Sequence, residues 1–331
     1  MQIALLAVPD LFDSGLSAVL DILATANALR EDIATSVRPF DITVAGTQAF
    51  VRTGHGLRLA TTPLTELETV PDLLVMPAVG CGLKSPLQIV DIVRNHAAVA
   101  HIAALHEAGS DLAAACTGTF FLAEAGVLDG LLATTSWWLG PAFRRRYSDV
   151  RLDESRTLAR DGRVTTAGAA FAHIDLALSI VARESLALAD LVARYLVIGD
   201  RPSQAVFAVP SHLAGTDPTV TAFERWVRDH IADPLQISGA AAAIGVSERT
   251  LQRATASVLG MSPIEFLQEV RLDEATFLLR TTSQTVDAIA AAVGYQNTST
   301  LRALVRRRRG TTISALRQLR PATAHRQRHR K

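Results

Sequence analysis

GVSERTLQRATASVLGMSPIEFLQEVRLDEATFLL, residues 245–279, is the stretch whose reading decides the C-terminal fold. Ala241-Ala242-Ala243-Ile244 closes a short helix just before it. Gly245 supplies the tight turn from which a second helix leaves at a steep angle. Ser247 is placed to cap that helix, with Glu248, Arg249, Gln252 and Arg253 on its early turns. A loop with Gly260 and Pro263 then leads into a long helix over 263–279. The pattern repeats downstream: a helix from Thr285 to Val293, a turn at Gly294-Tyr295, and a second helix from Asn297 to Arg308. Two helix-turn-helix units bridged by one helix are suited to enter two successive major-groove segments on one face of DNA, about 34 Å apart.

These residues resemble the AraC-type DNA-binding domain. The matching positions are Gly245-Val246-Ser247, Arg249-Thr250-Leu251-Gln252-Arg253, Leu259-Gly260-Met261-Ser262-Pro263, Arg271-Leu272, Ala275, Leu278-Leu279, Val286, Ile289-Ala290, Val293-Gly294-Tyr295 and Gly310. Their spacing runs without gaps through the domain. The sequence departs from the family pattern at Ala240, where leucine is usual, and at Thr255 and Val305, where phenylalanine is usual. These are core positions, so a lighter core is expected.

The chain of 331 residues is long enough for two domains with real cores, and 49% of it is hydrophobic with only 5% aromatic. The net charge of +1 hides an asymmetry. Residues 1–210 hold 16 Lys+Arg against 22 Asp+Glu, and residues 211–331 hold 17 against 10, so an acidic body carries a basic C-terminal third. No apolar run reaches membrane-spanning length without charge or turn residues. MQIALLAVPD at the start has no basic leader and reads as a buried strand. Cys81 and Cys116 fit a reducing compartment better than a disulfide framework. A cytoplasmic protein is expected.

Upstream of the helical domain, strands and helices alternate. Residues 2–8 lack polar alternation and read as a strand buried on both faces. A loop over 9–15, a helix over 16–29, and strands at 40–45, 73–76 and 111–115 follow, with helices expected over 86–108 and 119–125. Residues 137–147 read as helical and end in Arg144-Arg145-Arg146, taken as a solvated run. A hairpin spans 157–167 with Asp161-Gly162 at its turn. Two helices, 172–183 and 186–197, complete the unit. The expected architecture is an open parallel α/β sheet, flavodoxin-like, with helices on both faces. The expected domains are an α/β unit over 1–198, a Pro/Gly-rich linker over 199–218, a double helix-turn-helix domain over 219–320 and a basic, frayed tail over 321–331.

Ala114-Ala115-Cys116-Thr117-Gly118 joins a buried strand to a helix, the geometry of a nucleophile elbow. The helix N-terminus is expected to lower the thiol pKa, and Gly118 lets a ligand or neighbouring backbone come close. The alternative is that Cys116 is a small buried hydrophobe. With Leu122 to Gly130, Ala133-Thr134-Thr135, Trp137, Thr166-Ala167-Gly168 and Ile174-Asp175-Leu176, the elbow resembles the ThiJ/PfpI branch of the class I glutamine amidotransferase-like superfamily over roughly residues 2–197. The resemblance implies that active members pair the cysteine with a histidine and a glutamate. Here those positions hold Ser136 and Gly15. Serine cannot take the thiol proton near neutral pH as imidazole does. His173 could approach from the Gly168 loop, and Asp13 could stand in for the acid.

The two resemblances together imply a transcriptional regulator with double-stranded DNA as partner and an α/β domain that senses a small-molecule effector and self-associates as a homodimer, without catalysis, cofactor or metal. His101 and His106 are read as helix-face residues with no ligand cluster around them. The expected ligand pocket comprises Gly80, Cys116, Thr117, Ser136, Trp137, Gly168 and His173, with Trp137 and Trp138 either walling it or packing under the sheet. Base edges are expected to be read by Glu248, Arg249 and Gln252 beside the cap Ser247, and by Gln296, Asn297, Thr298 and Thr300. Phosphates fall to Arg253, Arg302 and the run Arg306, Arg307, Arg308 and Arg309. The competing class is a cysteine-dependent hydrolase or glyoxalase-like enzyme fused to a DNA-targeting module.

Overall fold

The structure, a computed structural model, describes residues 1–33, 37–80, 87–199, 204, 217–234, 236–259, 261–309 and 311–318. Cys81, Gly260, Gly310, nearly all of the expected linker and the basic tail lie outside the described residues. The chain divides into two compact units, Met1–Gln204 and Ala205–Lys331.

The first unit is built on β1 (Gln2–Ala7), α1 (Asp13–Ile33), β2 (Asp41–Gly46), β3 (Phe50–Arg52), β4 (Arg58–Ala60), β5 (Thr62–Pro63), β6 (Leu73–Met76), α2 (Leu87–Val93), α3 (Ala97–Glu107), β7 (Asp111–Ala115) and α4 (Gly118–Glu124). It continues through β8 (Leu132–Ala133), α5 (Gly140–Arg146), β9 (Arg151–Leu152), β10 (Leu158–Asp161), β11 (Val164–Ala167), α6 (Ala172–Glu184) and α7 (Leu186–Tyr195). The main sheet has the order β10-β11-β7-β6-β1-β2-β5. All its pairings are parallel except the edge hairpin β10–β11, which turns at Gly162 with φ +56°.

Burial on both faces explains the uninterrupted apolar strands. Along β1, Ala4, Leu6 and Val8 join one core with Ile89, Ile102, Phe120 and Phe143. Ile3, Leu5 and Ala7 join the opposite core with Leu23, Leu176 and Val192. Sheet neighbours β2 and β6 flank β1 on opposite sides, so the direction of winding reverses there. Such a reversal opens a crevice at the C-terminal strand ends. Two non-glycine residues at those ends have left-handed backbones: Asp10 after β1 (φ 60°) and Cys116 after β7 (φ 57°).

Several expected elements shift. α1 starts at Asp13, so Asp13 and Gly15 are helical and not in a loop. The single helix expected over 86–108 breaks at Asn95 (φ 60°), after which His96 caps α3 by accepting from the Ala98 N–H at 3.1 Å. Residues 137–147 open with a 3-10 turn, Trp137–Leu139, before α5. Arg144 and Arg146 are not a solvated run. Arg144 pairs with Glu154, and Arg146 pairs with Glu124 at 2.6 Å beside the Tyr147 hydroxyl, 2.7 Å from the same carboxylate.

The second unit comprises α8 (Pro218–Asp229), α9 (Ile237–Ala243), α10 (Glu248–Leu259), α11 (Pro263–Thr281), α12 (Val286–Ala292), α13 (Thr298–Arg309) and α14 (Ile313–Gln318). α8 begins with Asp217 as cap, inside the stretch read as linker. The unit has two cores that share α11. Phe266, Leu267 and Val270 from its first half join Phe223, Ala240 and Leu251. Leu272, Ala275 and Leu279 from its second half join Ile289, Leu301 and Val305. A full capping box starts α11, with Ser262 and Glu265 each bonding the other's backbone N–H. Ala240, Thr255 and Val305 are all buried, the lighter core positions the sequence implied, and the Thr255 hydroxyl donates to the Leu251 carbonyl at 3.1 Å.

Gly245 and Gly294 occupy the two turns with φ +74° and +78°. A Cβ on Gly245 would meet nothing within 4 Å, whereas one on Gly294 would lie 2.5 Å from Arg271 Nη2 and 2.6 Å from the Ile231 carbonyl. Gly245→Ala should therefore cost only the left-handed strain, about 1–2 kcal/mol. Gly294→Ala should cost clearly more, because backbone and a buried guanidinium must also move. Urea unfolding of the two variants, monitored in the helical unit, checks this; equal losses would contradict it.

Candidate functional site

At the C-terminal strand ends of the α/β unit, the chain turns sharply at Cys116. Its N–H donates to the Ala167 carbonyl at 2.9 Å, fixing the end of β7 against β11. A Cβ on Gly118 would lie 2.4 Å from the Met76 carbonyl oxygen, so Gly118 admits neighbouring backbone and α4 starts directly beneath β6. Thr117 locks the next loop: its hydroxyl donates to the Val79 carbonyl at 2.8 Å and accepts the Val79 N–H at 2.7 Å. Gly80 in that loop has φ +79°, and its N–H donates to the Asp10 carbonyl at 2.9 Å.

The Cys116 thiol is buried and lies 2.8 Å from the Ser136 hydroxyl, which is itself fully buried. The expectation of a lowered thiol pKa fails. Burial pushes it up, and hydrogen bonds from Ser136 and Thr117 offset this only partly. Desolvation of the thiolate outweighs the field of a helix of seven residues. The site therefore holds a neutral thiol beside a neutral hydroxyl.

His173 does not serve as a base for this thiol. Its Nε2 accepts the Ala78 N–H at 3.0 Å, and its Nδ1 donates to the Ala170 carbonyl. Both nitrogens are thus spent on backbone. Burial lowers its pKa to about 4, so the ring is neutral at ordinary pH. Its position explains Gly15: a Cβ there would lie 2.7 Å from His173 Nε2. The imidazole fills the space next to the position where the family pattern has glutamate. Asp13 does not replace that acid either. Its carboxylate lies 2.8 Å from His55 Nδ1 and accepts the His55 N–H at 3.2 Å. Burial raises its pKa, but hydrogen bonds from Thr53 and His55 outweigh that and hold it below the usual range.

Of the expected pocket residues, Gly168 is buried, Trp137 and Gly80 are half-buried, and Trp138 packs against the core that contains Phe120. The sequence reading missed Gln204, which lies in the stretch taken as linker yet is buried in this unit. Its amide nitrogen lies 2.7 Å from the Thr135 carbonyl, and its carbonyl oxygen accepts the Ala169 N–H at 2.9 Å. Among the described residues no group of three or more His, Cys, Asp or Glu could hold a metal. No described helix is long and apolar enough to cross a membrane.

In the helical unit, Ser247 caps α10, accepting the Thr250 N–H at 3.1 Å. Glu248, Arg249, Gln252 and Arg253 are exposed, as are Gln296, Arg302, Arg306 and Arg307. No ion pair engages these residues among the described residues. Two expectations change. Arg309 is buried and pairs with Glu269 at 2.6 Å, while Arg308 lies 3.5 Å from Glu265. Both fasten α13 to α11, and the burial of Arg309 keeps its guanidinium from a phosphate while Arg308 stays partly exposed. Asn297 caps α13: its Oδ1 accepts from the Thr300 N–H at 3.0 Å and from the Thr300 hydroxyl at 2.8 Å. That oxygen and the Thr300 proton are committed to the cap, and Thr298, half-buried, opens the helix.

Because His173 stays neutral when folded but has an ordinary pKa near 6.5 when unfolded, the unfolded state binds more protons between those values. Its share of stability is full above pH 6.5 and is lost as pH falls toward about 4. The expected slope is about 1.4 kcal/mol per pH unit. Thermal unfolding of the α/β unit across this range should show the slope, and His173→Gln should flatten it; identical slopes would refute the assignment.

The sequence matches the DJ-1/PfpI family over residues 3–183 and a helix-turn-helix domain over residues 240–319. It is similar to the HTH-type transcriptional regulator GbdR of Pseudomonas aeruginosa, 26% identical over 213 residues, which is 62% of this chain and 57% of that protein. It is also similar to the HTH-type transcriptional regulator CdhR of the same organism, 32% identical over 187 residues, which is 55% of each chain. The chain thus spans little more than half the length of these relatives. A solved structure from Vibrio parahaemolyticus, 22% identical, has the same fold over 59% of this chain and 98% of its own, with a TM-score of 0.51. The first match covers more than half of the residues, so the chain belongs to the DJ-1/PfpI family, and it carries an AraC-type helix-turn-helix domain behind that unit.

Proposed function

We propose that the protein is a sequence-specific DNA-binding transcriptional regulator whose α/β unit senses a small-molecule effector without catalysing a reaction. The observation that carries the first half is the division of labour on α10 and α13. Leu251, Val258, Leu301, Leu304 and Val305 are buried, while Arg249, Gln252, Arg253, Arg302, Arg306 and Arg307 of the same helices are exposed. Each helix leaves a glycine turn, so each can lie in a major groove with its first turns at the base edges. Arg249, Gln252 and Gln296 have the chemistry to read base edges. Arg253, Arg302, Arg306 and Arg307 have the chemistry to hold phosphates.

The second half rests on the elbow. A buried neutral thiol bonded to a serine hydroxyl, with both nitrogens of His173 taken by backbone groups, has no proton acceptor poised for nucleophilic attack. The crevice at the strand ends, near Gly80, Cys116, Trp137 and Gly168, is the place for an effector. An effector acts only through different affinity for two states of the protein. Self-association belongs to the same proposal: Leu186, Tyr195 and Val197, on and just beyond α7, are exposed apolar side chains suited to a docking face. A regulator of this kind works where the chromosome is, in the cytoplasm.

Arg249→Ala should relax sequence preference at one base step, at a cost of about 1–3 kcal/mol on the preferred site. Arg306→Ala should weaken binding to all sequences alike and reduce the salt slope by about one counterion. Binding isotherms on specific and scrambled duplexes at several salt concentrations separate the two. If both variants behave identically, the assignment of reading and clamping residues is wrong.

A further inference from the structure

Gln204 closes a buried polar niche behind the elbow. Its Nε2 lies 2.7 Å from the Thr135 carbonyl, 3.1 Å from the Arg156 carbonyl and 3.3 Å from the Thr134 hydroxyl oxygen. Its Oε1 accepts the Ala169 N–H at 2.9 Å, and its own backbone N–H donates to the Ser155 carbonyl at 3.1 Å. The fit is steric as well as polar. A Cβ on Gly168 would lie 2.6 Å from the carbon, nitrogen and oxygen of this carboxamide, so the niche exists because residue 168 has no side chain. Thr135 links the niche to the elbow, since its hydroxyl donates to the Cys116 carbonyl at 2.7 Å. Gln204 is the last residue of the first of the two units into which the chain divides.

The niche presents acceptors on one side and a single donor on the other. A carboxylate would set an oxygen against the carbonyls of Thr135 and Arg156. An ammonium would leave the Ala169 N–H without an acceptor. A primary carboxamide satisfies both sides. We propose that this niche is a binding site for a primary carboxamide, with Gln204 as its resident occupant. A small molecule ending in such a group competes with the chain for these partners. When it enters, it displaces the side chain of Gln204, the last residue of the α/β unit. The regulatory consequence rests on the effector-sensing reading given above; the chemistry of the niche does not.

The test is amide hydrogen exchange at Ala169 in the full-length protein. Gln204→Ala should speed exchange by up to about tenfold, the loss of one buried hydrogen bond. Propionamide, the glutamine side chain from its β-carbon outward, should restore protection saturably in this variant, whereas propionate at equal concentration should not. Gly168→Ala is the second variant. Its methyl group displaces only the flexible end of Gln204, so exchange should rise equally, but propionamide should not rescue it because the added carbon fills the niche. Wild-type exchange in Gln204→Ala, or no rescue by propionamide, would overturn the proposal. Rescue in a protein that binds no DNA would leave the niche standing and remove the regulatory reading.

Discussion

Arg271 sits on α11 at the junction of the two helical cores. Val270 just before it belongs to the first core and Leu272 just after it to the second. Its guanidinium donates to the Asp233 carbonyl at 2.7 Å and to the Gly294 carbonyl at 3.3 Å, and lies 5.7 Å from the centre of the Tyr295 ring. A buried guanidinium is costly unless its donors are met; the two Nη atoms are met here and the Nε is not, so these two bonds hold the groups in place. Asp233 follows α8, and Gly294 is the turn of the second helix-turn-helix unit. Arg271 thus ties α11 both to the segment after α8 and to the turn that precedes α13. Lysine could not reproduce the forked geometry. Arg309 and Glu269 add a second tie between α13 and the same helix.

The α/β unit has the left-handed turn of a nucleophile elbow, with its thiol buried and its pKa raised. Cys116 retains its left-handed backbone, Gly118 its close approach and Thr117 its lock on Val79. The space next to the absent glutamate is filled by His173, and the histidine position by Ser136. The turn thus holds buried neutral polar groups. Those groups extend through Thr135 to Gln204, which places the elbow and the end of the α/β unit in one hydrogen-bond network.

Much of this was legible in the sequence, for physical reasons. β6 and β7 lie where expected because both are apolar runs buried on two faces. The turn glycines at 245 and 294 announced themselves because no other residue enters the left-handed region as cheaply. The break at Asn95 was hidden, since its apolar surroundings continue a helical pattern on both sides. β3 and β4 escaped notice because each is three residues long and largely exposed. Long-range polar pairing was the least visible. Nothing in the local sequence tells that Arg308 and Arg309 face glutamates on α11 while Arg306 and Arg307 do not, or that Gln204 folds back to Thr135 and Ala169. The sign of the Cys116 shift was misjudged because a helix terminus is visible in a sequence and the depth of burial is not.

In the proposed regulator, α11 holds the two helices that would read DNA, α10 and α13, at a fixed separation. An unbiased selection of binding sites with the full-length protein, read by sequencing, tests it most directly. The expected result is an enriched motif with two half-elements about one helical turn apart and invariant spacing between them. A single element, or two elements at freely varying distances, would contradict it.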